Sequence, residues 1–172
     1  MFFFPGPARS RICRHGALFD SFVPSVLFLS HFLPDPPVLS QMNSLCSLML
    51  GSNGIWGELA DLSEEDIGLF ANTISKYKRV RDSVNESYPK AKGCIGSSPE
   101  IYDKIQYAKA EGLICFFTKA GGEFTYVTDP MDTGRISGVD GADAWEITAA
   151  GRLKVTVVLK DNEARPVFIF GK

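Results

Sequence analysis

The chain has 172 residues, enough for one domain of ordinary size or two small ones with a buried core. Its composition, 45% hydrophobic and 22% charged, is that of a globular protein. Eighteen Lys and Arg against twenty Asp and Glu leave a net charge of -2, so no basic field draws nucleic acid or anionic lipid. The four cysteines (Cys13, Cys46, Cys94, Cys115) lie 33, 48 and 21 residues apart with no C-x-x-C pair, a spacing that fits neither a zinc site nor a dense disulfide framework. Free thiols buried as small hydrophobes are the expectation.

Charge is spread unevenly. The 43 residues from His15 to Gly57 carry only Asp20 and Asp35, and no Lys or Arg occurs between Arg14 and Lys76. Asp20, Pro24, His31 and Pro34 break this stretch into runs far shorter than the ~20 residues a membrane-spanning helix needs. A secretory signal is also a poor fit, because Phe2, Phe3 and Phe4 precede any basic residue and Pro5 and Pro7 follow at once. The remaining explanation is burial on several sides, inside a body larger than this chain supplies.

Residues 1–21 mix Phe, Pro, Arg and Gly without periodicity and read as an irregular lead-in. Ser25–Ser30 is a short apolar run of the kind found in strands buried on both faces. Asp35 before Pro36 and Pro37 reads as a helix start, with an acid at the N-cap and Pro at the first helical position. Val38, Met42, Leu45 and Met49 then mark one helix face that stops at Gly51. The opposite face (Leu39, Asn43, Cys46, Ser47) is uncharged, so this helix expects neighbours around much of its circumference. Residues 54–59 read as a second strand. Ser63 to Asp66 resembles a capping box, and Ile67, Phe70, Ile74 and Tyr77 continue at helical spacing. Acids in its first turn and Lys76, Lys78, Arg79 and Arg81 toward its end complement the helix dipole. Residues 22–88 therefore read strand, helix, strand, helix, the alternation of parallel α/β construction.

Residues 89–110 read as a linker rich in turn formers, with a short helix opened by Ser98 and Pro99 and carrying Ile101, Tyr102 and Ile105. Beyond it the period becomes two. Residues 112–118 form a strand apolar on both faces, expected to turn through Ala120, Gly121 and Gly122 into a hairpin with residues 123–128. A polar loop spans 129–141, and strands follow at 144–148, 153–159 and 166–170, the last starting with a Pro that suits a strand start or edge. Residues 111–172 thus make an antiparallel β domain of five strands, a small sandwich or a sheet that needs a partner surface.

Several of these residues resemble a known family. The run His31 to Pro37, the segment Gly51 to Glu58 and the switch from α/β to β resemble the end of the catalytic barrel in α-galactosidase-like retaining glycoside hydrolases. Residues Glu123 to Thr128 and Gly151 to Lys154 resemble the antiparallel C-terminal domain that follows such barrels. The likeness spans roughly residues 22–172. It implies a (β/α)8 barrel whose two acidic residues hydrolyse an α-glycosidic bond with retention. Residues 22–88 correspond only to the last two βα units, and the positions of those acids, on middle strands, are absent. Retention needs two carboxyl groups about 5–5.5 Å apart, and no catalytic pair is nominated here. The expected fold is α/β followed by all-β.

Chemistry in barrels collects where strands end, which makes His31, Trp56 and Glu58 candidate sugar contacts. Each also has a plain structural reading: a half-buried His, a core Trp, a solvated loop acid. Asp35 is read as a cap rather than a catalytic acid, and Trp145 as core. Gly51 to Gly54 lacks the Lys-Ser/Thr of a P-loop, and no H-E-x-x-H or G-x-S-x-G motif occurs. Asp140 to Asp143 faintly resembles a calcium loop, but reads better as a turn. No metal or cofactor is expected. The expected partners are carbohydrate in a complete protein and the remainder of the barrel, with no nucleic acid and no membrane span. The leading expectation is an inactive C-terminal fragment of a retaining α-glycosidase. The alternative is a carbohydrate-binding or structural β module.

Overall fold

The computed structural model describes residues 41–51 and 62–172. The strands expected at 25–30 and 54–59, the Asp35 cap and the lead-in lie outside the described residues. The elements are helix α1 (Gln41–Met49), helix α2 (Glu64–Asn85), and strands β1 (Lys90–Lys92), β2 (Glu100–Gln106), β3 (Glu111–Phe117), β4 (Gly122–Pro130), β5 (Ile136–Asp140), β6 (Ala144–Ile147), β7 (Arg152–Leu159) and β8 (Ala164–Gly171). They form a five-stranded sheet ordered β1-β2-β3-β8-β5 and a three-stranded sheet ordered β4-β7-β6. Every strand pairing among the described residues is antiparallel.

Alternation along the inner strands sorts the side chains into two cores. Because successive side chains leave a strand on opposite faces, Leu113, Cys115 and Phe117 of β3 join Tyr102, Phe168 and Phe170 under the helices. Ile114 and Phe116 join Ile101, Ile105, Val167 and Ile169 against Tyr126, Leu153, Val155, Val157 and Leu159 of the second sheet. The described residues therefore form three layers: helices, five-stranded sheet, three-stranded sheet. Each fully buried aliphatic or aromatic side chain in these cores stabilises the fold by roughly 1.5–3 kcal/mol relative to exposure.

Helix α1 meets its expectation, with Leu45, Cys46, Ser47, Leu48 and Met49 all buried. Helix α2 begins as read: Ser63 caps it, its hydroxyl accepting from the Asp66 N–H at 3.1 Å, and Glu64, Glu65 and Asp66 fill the first turn. It runs on to Asn85, however, so the four cations lie upstream of a last turn that holds no base. The buried stripe is Phe70, Thr73, Val80, Ser83 and Val84, while Ile67 is 49% exposed.

Several β-region expectations are corrected. Residues 100–106 are not a helix in a linker but strand β2, paired on one side with β1 and on the other with β3. Ile101, Tyr102 and Ile105 fit a helical spacing, yet a strand covered on both faces buries all of Glu100–Ile105, charged residues included. Strands β3 and β4 are not a hairpin. The turn through Gly121 carries the chain from one sheet to the other, and β4 pairs with β7. The polar loop contains β5, an edge strand on β8 with an irregularity between Ile136 and Gly138. Strand β8 is internal, and its pairing with β5 involves Phe168–Gly171, past Pro166. Trp145 is not core but 46% exposed on β6. Cys46 and Cys115 are buried as expected, whereas Cys94 is exposed.

Gly112 marks a close approach between strands β3 and β2. A Cβ there would lie 2.3 Å from the Lys104 carbonyl oxygen and 2.6 Å from the Ile105 Cα, both backbone atoms of β2. Gly112→Ala is expected to destabilise the chain by about 3 kcal/mol or more, read as a lower urea midpoint, whereas Gly68→Ala, with open space around it, leaves the midpoint unchanged or higher.

Candidate functional site

The helix layer is seated on the sheet by polar side chains that a strand with two covered faces would not ordinarily carry. Glu100, Tyr102 and Lys104 alternate along β2 toward the helices, each at most 1% exposed. The Lys104 ammonium donates to the Leu50 carbonyl at 2.9 Å, just beyond α1. Carbonyls at a helix C-terminus lack intrahelical donors and form the negative end of the helix dipole, so a buried cation there is doubly favoured. From α2 the Tyr77 hydroxyl donates to the Gly51 carbonyl at 3.1 Å. Burial pushes this phenol up to about 12, against the opposing pull of Arg81, so it stays a donor at neutral pH. The Cys115 thiol approaches the Cys46 carbonyl at 3.6 Å. Glu100 takes the Tyr102 hydroxyl on one oxygen at 2.8 Å and the Gly96 N–H on the other at 2.7 Å.

Above this row α1 and α2 leave an open groove of about 200 Å³, with Leu45, Leu48, Ile74 and Tyr77 as its apolar part and Lys78 and Arg81 beside them. Among the described residues its lining contains no carboxylate and no thiol. What such a surface can do is bury an apolar ridge whose flank is acidic or carbonyl-rich. A second groove, about 490 Å³, lies at the turn between β7 and β8. Its acids are engaged in holding that turn: Asp161 accepts the Gly121 N–H at 2.6 Å, and Glu163 accepts the Lys160 N–H at 2.7 Å and pairs with Arg165 at 3.1 Å.

Of the residues singled out in the sequence, His31, Trp56 and Glu58 lie outside the described residues, as does Asp35. Asp140 pairs with Lys76 at 2.8 Å, and Asp143 pairs with Arg165 at 2.7 Å while accepting the Val158 N–H at 2.6 Å. Both acids are therefore tied to distant elements, Asp140 to α2 and Asp143 to β7 and β8. Among the described residues no three His, Cys, Asp or Glu side chains gather as metal ligands, and no helix is long and apolar enough to cross a membrane. The anchoring role of Lys104 and Tyr77 is missed by sequence reading. The available signal is the strict alternation Glu100, Tyr102, Lys104 against Ile101, Asp103, Ile105.

No family model and no curated protein matches the chain. Solved structures do. A variant of the GH36 α-galactosidase AgaA from Geobacillus stearothermophilus, in complex with raffinose, superposes with a TM-score of 0.59 at 14% identity, over 83% of this chain and 21% of that one. The GH36 α-galactosidase AgaB from the same organism superposes with a TM-score of 0.59 at 15% identity, over 85% of this chain and 22% of that one. The chain thus spans about a fifth of the length of these neighbours, and at such identity the likeness is one of fold alone.

The anchoring by Lys104 is open to a direct check. Lys104→Ala strips the Leu50 carbonyl of its buried donor and leaves a void, and is expected to cost about 3–5 kcal/mol in urea unfolding, with loss of helical circular dichroism before loss of β signal. Lys104→Met, which refills the volume, is expected to recover part of that loss.

Proposed function

We propose that the chain is the C-terminal part of an α-galactosidase-like retaining glycoside hydrolase, a module that completes and braces a (β/α)8 barrel and has no turnover of its own. The observation that carries this reading is the shared fold: 83–85% of the chain superposes on GH36 α-galactosidases and accounts for 21–22% of their length. The apolar groove between α1 and α2, with cations beside it, supports it further, because it is the surface a bracing module would present to a larger body. In this reading residues 22–88 supply the last two βα units of the barrel, and His31, Trp56 and Glu58 lie near the sugar pocket. In this reading the acid pair required for retention comes from barrel strands other than those of residues 22–88.

A second reading is favoured by one observation. Trp145 is 46% exposed on the short edge strand β6, with Ile147 beside it at 47%. An exposed indole offers its face to the C–H groups of a sugar ring, so a carbohydrate-binding module is the alternative.

Purified full-length chain is expected to give no turnover of an aryl α-galactoside above the blank and no retention on immobilised raffinose. Retention that disappears in Trp145→Ala would instead establish the binding-module reading. Turnover abolished by a single carboxylate substitution would overturn both.

A further inference from the structure

Helix α2 carries an apolar stripe that the described elements leave partly open. Ile67, Ala71 and Ile74 recur at steps of four and three, which puts them on one helix face, and Lys78 and Arg81 continue that face toward the helix end. Ile67 is 49% exposed, Ala71 is exposed and Ile74 is half-buried. The later part of the stripe lines the groove of about 200 Å³, together with Leu45 and Leu48 of α1. Charge is confined to one end of it. Among the described residues Lys78 makes no ion pair, and Arg81 pairs only with its chain neighbour Asp82, at 3.3 Å.

The chain itself holds a segment of complementary chemistry. Forty residues precede Gln41, the first residue of α1, and from His15 to Ser40 they contain Asp20 and Asp35 but no Lys or Arg. Residues 22–34, between those acids, are mostly apolar, with Val26, Leu27, Phe28 and Leu29 consecutive at their centre. Such a stretch favours burial, and the acids at its flanks match the cations Lys78 and Arg81. Its tether is long enough to reach the groove. Residues 35–40 span up to about 20 Å when extended, whereas α1 advances only about 10 Å from Gln41 to Leu48. A connection this short holds the segment at an effective concentration on the order of millimolar, well above that of a second copy in dilute solution.

We propose that residues 22–34 of this chain dock on the groove between α1 and α2, with Val26–Leu29 against Leu45, Leu48 and Ile74 and a flanking acid beside Lys78 and Arg81. Apolar burial drives the contact, while ion pairs at its exposed rim set direction more than strength. The charge-poor stretch thus finds cover within its own chain, and the groove is shielded from other apolar surfaces for as long as the segment stays on it. Docking of residues 22–34 is independent of the glycosidase reading: turnover by the purified chain would overturn that reading and leave this contact untouched.

The experiment uses the full chain and a labelled synthetic peptide of residues 20–40, followed by fluorescence anisotropy. In the parent chain the groove is already filled. In the double variant Leu27→Asp, Phe28→Asp the chain's own segment is displaced, and the peptide is expected to bind about 10-fold or more tighter than to the parent. Adding Ile74→Asp to that variant is expected to abolish the binding. Equal binding to parent and variant, or binding that survives Ile74→Asp, overturns the proposal. So does a parent chain that sediments as a dimer split by Ile74→Asp, which would assign the groove to a second copy. Should the double variant fail to fold, p-benzoylphenylalanine in place of Phe28 reports on the otherwise unchanged chain. Its photo-cross-links are expected within one chain, to residues 45–51 or 74–81; cross-links formed only elsewhere, or only between chains, overturn the docking.

Discussion

The architecture depends on β2 being covered on both faces while carrying a charge on each. Lys104 points into the helix layer and donates to the Leu50 carbonyl at the end of α1. Asp103, one residue earlier, points into the space between the sheets and takes the Tyr126 hydroxyl from β4. Each is expensive to bury alone and tolerable only with good partners. One strand therefore couples three layers: the helices through a cation at a helix terminus, and the second sheet through a carboxyl between two phenols. The apolar contacts supply most of the stability, while these polar contacts fix which helix end and which strand sit where.

This constraint also decides what was legible in the sequence. Helix α2 announces itself through Ser63, three acids and a regular apolar spacing, because local capping chemistry and periodicity suffice to specify an exposed helix. Strands β3 and β7 are equally plain, one apolar throughout and the other alternating. Strand β2 is not, because Glu100, Asp103 and Lys104 look like solvent-facing charges and Ile101, Tyr102 and Ile105 suit a helix. Only tertiary partners far along the chain, Leu50 and Tyr126 among them, make those charges compatible with burial. Similarly, the residues between β3 and β4 carry a hairpin composition, yet the two strands separate into different sheets, a choice set by strand pairing with β7 and β8 rather than by the turn itself.

The candidate site divides in the same way. His31, Trp56 and Glu58 follow the logic of strand ends in a barrel, and none lies within the described residues. Trp145 reads as core from its place in the β region, but β6 is a short edge strand on which it stays 46% exposed. The fold likeness to GH36 α-galactosidases is one of architecture alone, and the groove between α1 and α2 is an apolar surface with Lys78 and Arg81 beside it.

The central claim is that helices and sheets are one cooperative body joined through β2. Native-state hydrogen exchange in low urea tests it most directly, by comparing the amides of Leu45–Leu50 with those of Leu113–Phe117. The account predicts that both sets open together with the same free energy and the same dependence on urea. Exchange of the α1 amides at nearly unprotected rates while β3 stays fully protected would contradict it.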